Sequence, residues 1–248
     1  MSDHILDLGH GFWNIRGSFK LGLLDIGTQA SLVRLGDGRF LLLDSYRLKP
    51  ELLEQVRGIV GEAGVHAILN LHPFHTVHVK RSHAQFPEAK LYGTARHVAK
   101  APELPWEPQR SEDAELHGLF AADLDFSVPA GVDFISDNEN LHFSSVLVHH
   151  RASSTVHVDD TFNFVKLPLI GELALSFHPT LPKVLERRSG AAQDFRAWAR
   201  QLRADWGSAR NLVSAHNAAL LGQELGPHMD KALAKVEKKL GAHERKHG

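Results

Sequence analysis

Hydrophobic positions change period several times along the chain, and each change predicts an element. In "SLVRLGDGRFLLLDSY", residues 31–46, two apolar runs flank Gly36-Asp37-Gly38, and a turn-forming triplet between strand-like runs predicts a β-hairpin. From Lys49 the spacing lengthens. Leu52, Leu53, Val56, Ile59 and Val60 fall on one face of a helix that Pro50 can open and Gly61 and Gly64 can close. "VHAILNLH", residues 65–72, is a short continuous apolar run of the buried-strand kind. A helix over 77–85 and a strand in "AKLYGT", residues 89–94, complete a β-α-β-α-β order. Residues 95–118, with Pro102, Pro105 and Pro108, read as irregular loop, and 120–164 as short strands broken by Gly, Asn and Asp. "AAQDFRAWARQLRADWGS" is an amphipathic helix with Trp198 and Trp206 turned to the core, "NLVSAH" a strand, and 220–240 a charged helix. No internal repeat or flexible linker divides the chain, so a single domain over residues 1–248 is expected.

Composition narrows the chemistry. With 28 basic residues against 29 acidic ones there is no overall field to gather nucleic acid or an anionic membrane, which favours a small-molecule substrate or ligand and allows a homo-oligomer. An apolar content of 43% supports a proper core. The chain has no cysteine, which excludes disulfides, thiolate nucleophiles and sulfur-held zinc, so any metal must be held by imidazole and carboxylate. No basic-then-apolar leader pattern opens the chain and no run of 18 apolar residues interrupts it, so a cytoplasmic protein is expected.

The chemistry concentrates in "ILNLHPFHTVHVKRSHAQFPEAKLYGT", residues 68–94, where an apolar strand ends in His72, His75 and His78. Later landmarks are His142 in "NLHFSS", the pair Asp159 and Asp160 in "VHVDDTF", and His216 in "VSAHNA". His149, His150 and His157 alternate along strand-like runs and read as sheet-surface residues, and Lys80 and Arg81 as a solvated helix face.

The order of these landmarks, from "LLLDS" through the histidine strand and "FPEAKLYGT" to "VHVDDTF" and "NLVSAH", resembles the metallo-β-lactamase fold over most of the chain, in a divergent branch. The resemblance implies an α+β architecture, an αββα sandwich whose ligands meet at strand ends. It puts a later ligand on His142, a carboxylate on Asp159 or Asp160, the last ligand on His216, and a supporting carboxylate on Asp44. The family's H-x-H-x-D-H loop is degenerate here. Laid with one inserted residue it reads His72, His75, Val77 and His78, and its aspartate falls on Val77.

An apolar side chain at that place supplies neither charge nor a ligand to a second metal. The expectation is therefore at most one ion, zinc or iron, or none, held by His75, His142, Asp159 and His216 with His72 or His78 assisting. Asp159 is the candidate catalytic carboxylate. Two functions follow from the resemblance: a metal-dependent hydrolase of a small ester, amide or phosphoester, or a non-catalytic, binding member of the fold.

Overall fold

Period-two burial governs the first half of the chain. The structure, a computed structural model, describes residues 3–18, 20, 21, 24, 25, 27–167, 171–215 and 218–248. Strands β1 (His4–Asp7), β2 (Phe12–Gly17) and β3 (Thr28–Arg34) pair antiparallel, and β3 turns at Gly36-Asp37-Gly38 into β4 (Phe40–Leu43), the expected hairpin. Helix α1 (Pro50–Val60) opens on its proline, buries Leu52, Val56 and Val60, and stops at Gly61, whose φ of 54° suits glycine. It crosses to β5 (Val65–Leu69), parallel to β4, and α2 (Val79–Gln85) crosses to the parallel β6 (Lys90–Gly93).

The segment expected to be loop holds three short elements instead: α3 (Ala95–Lys100), β7 (Trp106–Arg110) and α4 (Ala114–Phe120). Strand β7 lies at the edge of the sheet, the one position where Pro108 costs no ladder bond, and helices of six and seven residues are too short to show a period. The second sheet follows, with β8 (Leu124–Ser127), β9 (Leu147–His150) and β10 (Thr155–His157) antiparallel. After α5 (Leu181–Val184) and α6 (Ala191–Trp206), β11 (Asn211–Val213) runs parallel to β10, and β12 (Ala219–Leu220) closes the sheet. The last helix, α7 (Gly226–His247), begins later than expected because residues 219 and 220 pair in the sheet and Pro227 starts the helix after them.

Among the described residues, strand order equals chain order in both main sheets, seven strands in the first and five in the second. Successive side chains divide three cores between them. Leu41, Leu43, Ala67 and Leu69 point between the sheets to meet Val146, Val148 and Val213. Leu32, Leu42 and Ile68 point outward to Leu52, Val56 and Val60 of α1. On the far side Val156 and Leu212 meet Phe195 and Leu202 of α6 and Met229 and Val236 of α7. Layers run helix, sheet, sheet, helix, as expected. Among the described residues no helix is long and apolar enough to cross a membrane.

Leu69 is fully buried between the sheets in the strand that leads into the histidine segment. Leu69→Ala is expected to cost about 2–5 kcal/mol, read as a lower denaturant midpoint at unchanged slope.

Candidate metal centre

Strand ends deliver the polar residues to one groove. Asp44 follows β4, His72 and His75 follow β5, and Asp159 and Asp160 follow β10. Asp44 holds a left-handed backbone, φ 60°, which aspartate tolerates better than most residues. The Leu71 N–H donates to its Oδ1 at 2.7 Å, and its own N–H donates to the Leu69 carbonyl at 2.8 Å. Its Oδ2 lies 2.9 Å from His157 Nε2 on the other sheet.

The contacts behind His157 fix its proton. Asn14 Nδ2 donates to Ser31 Oγ at 2.9 Å, so the serine hydroxyl is free to donate to His157 Nδ1, 2.9 Å away. His157 therefore presents Nε2–H to Asp44. Gln29 bridges to the same strand, donating to the Val158 carbonyl at 2.9 Å and to Asp159 Oδ1 at 3.4 Å. This is a buried polar seam, where His157 was expected on a sheet surface. Its ring is wholly buried, and so, within 1%, is His150, which bonds Ser153 Oγ at 2.8 Å. Burial and the charge of Asp159 raise the pKa of Asp44, against the lowering effect of His157 and the Leu71 N–H.

Asp160 is the focus of the histidines. Its Oδ2 lies 3.3 Å from His72 Nε2, 3.4 Å from His75 Nε2 and 3.9 Å from His142 Nδ1. His75 turns its other nitrogen to Asp159, with Nδ1 to Oδ2 at 2.9 Å. His142 turns its Nε2 to the Glu139 carbonyl at 2.8 Å, so its proton sits there and the Nδ1 lone pair faces Asp160. His72 is set the other way: the Phe74 N–H donates to its Nδ1 at 3.1 Å, which leaves the proton of the neutral ring on Nε2. That Nε2 is buried and too far out of line with Asp160 to hydrogen-bond.

Electrostatics sort these groups. Burial pulls His75 down, but the charges and hydrogen bonds of Asp159 and Asp160 outweigh it and hold its pKa well above the usual value, although 37% of its side chain faces solvent. Burial and the neighbouring His75 lower His72, whose ring stacks on His75 at 4.0 Å. Burial pushes Asp159 up, and His75 more than reverses it, leaving the carboxylate below its ordinary range.

The groove has a volume of about 290 Å³, and Phe74 and Val77 supply apolar wall beside the charged floor. Of the residues singled out in the sequence, His72, His75, His142 and Asp159 gather here. Of the two adjacent aspartates, Asp160 touches the imidazole edges that face the groove, and Asp159 stands behind His75. His78 lines the groove with its ring edge-on to Tyr46 at 5.4 Å. His216 lies outside the described residues. Val77, at the degenerate aspartate position, is 70% exposed at the mouth. Asn14, Gln29 and Ser31 gave no sequence signal; polar side chains at inward strand positions are the only trace they leave.

No family model and no curated relative matches the chain in sequence. Solved structures do match in shape. The metallo-β-lactamase FIM-1 from Pseudomonas aeruginosa, in a mono-zinc form, aligns over 95% of this chain and 96% of its own at 13% identity and TM-score 0.61. A metallo-β-lactamase from Erythrobacter litoralis, with β-mercaptoethanol in the active site, aligns over 94% and 96% at 15% identity and TM-score 0.62. DIM-1, a metallo-β-lactamase exposed to ceftazidime, aligns over 95% and 98% at 13% identity and TM-score 0.62. The chain has the metallo-β-lactamase fold.

Two stability measurements check this geometry. Asp44→Ala strands the buried Leu71 N–H and the His157 Nε2–H, at about 1–3 kcal/mol each, and leaves a left-handed backbone without its support; chemical denaturation should show a loss of several kcal/mol. The pH dependence of the metal-free protein follows from the shifts. His75 is raised, so its contribution is complete below about pH 6.5 and is lost as pH climbs through the raised value. Asp44, also raised, pulls in the same direction. Asp159 is depressed, so its contribution is present above about pH 4 and is lost on acidification. Thermal unfolding should show a plateau in weak acid and a falling midpoint toward alkaline pH.

Proposed function

We propose that the chain is a mononuclear metal-dependent hydrolase of small esters, amides or phosphoesters. One observation carries the reading: His72, His75 and Asp160 each offer a ligand atom within 4.8 Å of the others, with His142 Nδ1 3.9 Å from the same carboxylate, while the far nitrogens of His75 and His142 are held by Asp159 and the Glu139 carbonyl. A ligating histidine ordinarily has its far N–H taken by a carboxylate or carbonyl in this way. The spacing fits as well. Bonds of about 2.0–2.1 Å set tetrahedral ligands about 3.3–3.4 Å apart, and the nitrogens of His72 and His75 lie 3.3 and 3.4 Å from Asp160.

His72, with its Nε2 proton given up, His75 and Asp160 would hold zinc or iron, and His142 would complete the set. Such an ion supplies positive charge that polarises a carbonyl or phosphoryl oxygen and acidifies water. The chain's own residues do the rest. Asp159 orients His75 and accepts its Nδ1–H, the Glu139 carbonyl orients His142, and buried Phe74 keeps water from one wall. A groove of about 290 Å³ suits a small substrate. The mono-zinc form of FIM-1, a protein of the same fold, is a precedent for a single ion.

One observation favours a second reading, a binding protein without metal. Protonated His75 lies against both Asp159 and Asp160 and offsets their charge with no ion present. Elemental analysis after dialysis separates the two. The hydrolase reading expects about one zinc or iron per chain, lost in Asp160→Ala, together with chelator-sensitive hydrolysis of p-nitrophenyl esters or phosphodiesters and little turnover of β-lactams. Metal-free protein that cannot be loaded with zinc would overturn it.

A further inference from the structure

His142 raises a problem that its neighbours solve. It lies on the segment 137–142, outside both sheets, with 40% of its side chain exposed, where a histidine ordinarily samples several rotamers. Yet its ring is fixed on face and edge. Phe74 stacks on it, with centroids 5.1 Å apart and planes 15° from parallel. The guanidinium of Arg96 lies over the same phenyl ring, 4.5 Å from its centroid. Arg96 Nη2 then donates to Glu139 Oε1 at 2.7 Å, where Lys100 Nζ also arrives at 3.0 Å. The carbonyl of that glutamate takes the Nε2–H of His142. The contacts close a circuit: His142, Phe74, Arg96, Glu139 and back to His142.

Arg96 is the member able to hold the circuit. Its side chain is only 16% exposed, and it sits in α3, whose first turn is pinned where the Thr94 N–H donates to His97 Nδ1 at 3.2 Å.

We propose that Arg96 is a positioning residue for the metal centre: through Phe74 on one side and Glu139 on the other it holds the imidazole of His142 with Nδ1 turned toward Asp160. The inference rests on the metal reading only in taking His142 as a ligand; the clamp itself is a property of the metal-free chain. Preorganisation of this kind shows in affinity, because a freed ring must be ordered again each time an ion binds.

The test compares wild type with His142→Ala, Arg96→Met, Arg96→Lys and Glu139→Gln. Zinc affinity is read by competition with a chromogenic chelator, and the melting temperature of each metal-free protein is read alongside. Arg96→Met should weaken zinc by about tenfold or more, the range found when a group orienting a ligand is removed, approaching His142→Ala at a melting temperature near wild type. Arg96→Lys keeps the charge and loses the flat stack, and should fall between. Should Arg96→Met fail to fold, Glu139→Gln carries the same expectation, since it weakens the link to Arg96. Wild-type affinity in the folded Arg96 or Glu139 variant, beside a weakened His142→Ala, overturns the proposal. Wild type that binds no zinc sinks the metal reading alone, and the clamp is then decided by nitrogen and proton NMR of the metal-free ring. A His142 Nε2–H that is protected in wild type and exchanges freely in the variant supports it; unchanged protection overturns it.

Discussion

A buried carboxylate helps to hold the two halves of the molecule in register. Asp44 ends one strand, accepts the N–H of Leu71 just before the histidine segment, and receives His157 from the facing sheet. Loss of any one of these contacts would leave a polar group buried without a partner, which costs more than the bond itself is worth when made. That asymmetry makes the seam a specifying device. Apolar packing between the sheets tolerates small slips, whereas Asn14, Ser31, His157 and Asp44 are satisfied together only in one alignment. The histidines hold their places because these contacts lock the sheet ends that carry them.

The charges follow from the same seam. Asp44, Asp159 and Asp160 stand close together in a region with little water, and two groups answer them. His75 is kept protonated between Asp159 and Asp160. Arg16, anchored on the carbonyls of Ser214 and Ala218, is drawn down to about 10 by burial while the charge of Asp159 pushes it back up, and it stays a cation. An arriving divalent ion would take over the work of the imidazolium, releasing a proton as it bound. With the ion or without it, the charges of the groove come close to balance.

The sequence announces the elements whose side chains repeat with a clear period. The hairpin around Gly36-Asp37-Gly38, α1, β5, β6 and α6 all declare themselves, since each buries one face or both in an apolar core. Strand β2 does not, because Asn14 and Arg16 occupy positions where an alternating pattern calls for apolar residues, and what they face is polar. The same reason hides the support of the site. His157 meets Ser31 across 126 positions and Asp44 across 113, and no local pattern encodes either pairing. Residue type and motif order brought His72, His75, His142 and the Asp159–Asp160 pair into view. Which of the two aspartates faces the groove depends on the pleat at the end of β10, and a one-residue difference of that kind turns a side chain to the other face.

Strand order that follows chain order has a consequence for assembly. Residues 4–110 form the whole of the first sheet and 124–220 the whole of the second, so each can pair its own strands before the other exists. The groove cannot form so early. Asp44, His72 and His75 leave the ribosome with the first half, while His142, Asp159 and Asp160 belong to the second. Until the halves dock, the nascent first sheet shows bare Leu41, Leu43 and Leu69 to its surroundings, the kind of apolar face on which chaperones act. The groove is thus complete only where both halves have met, since its lining comes from each.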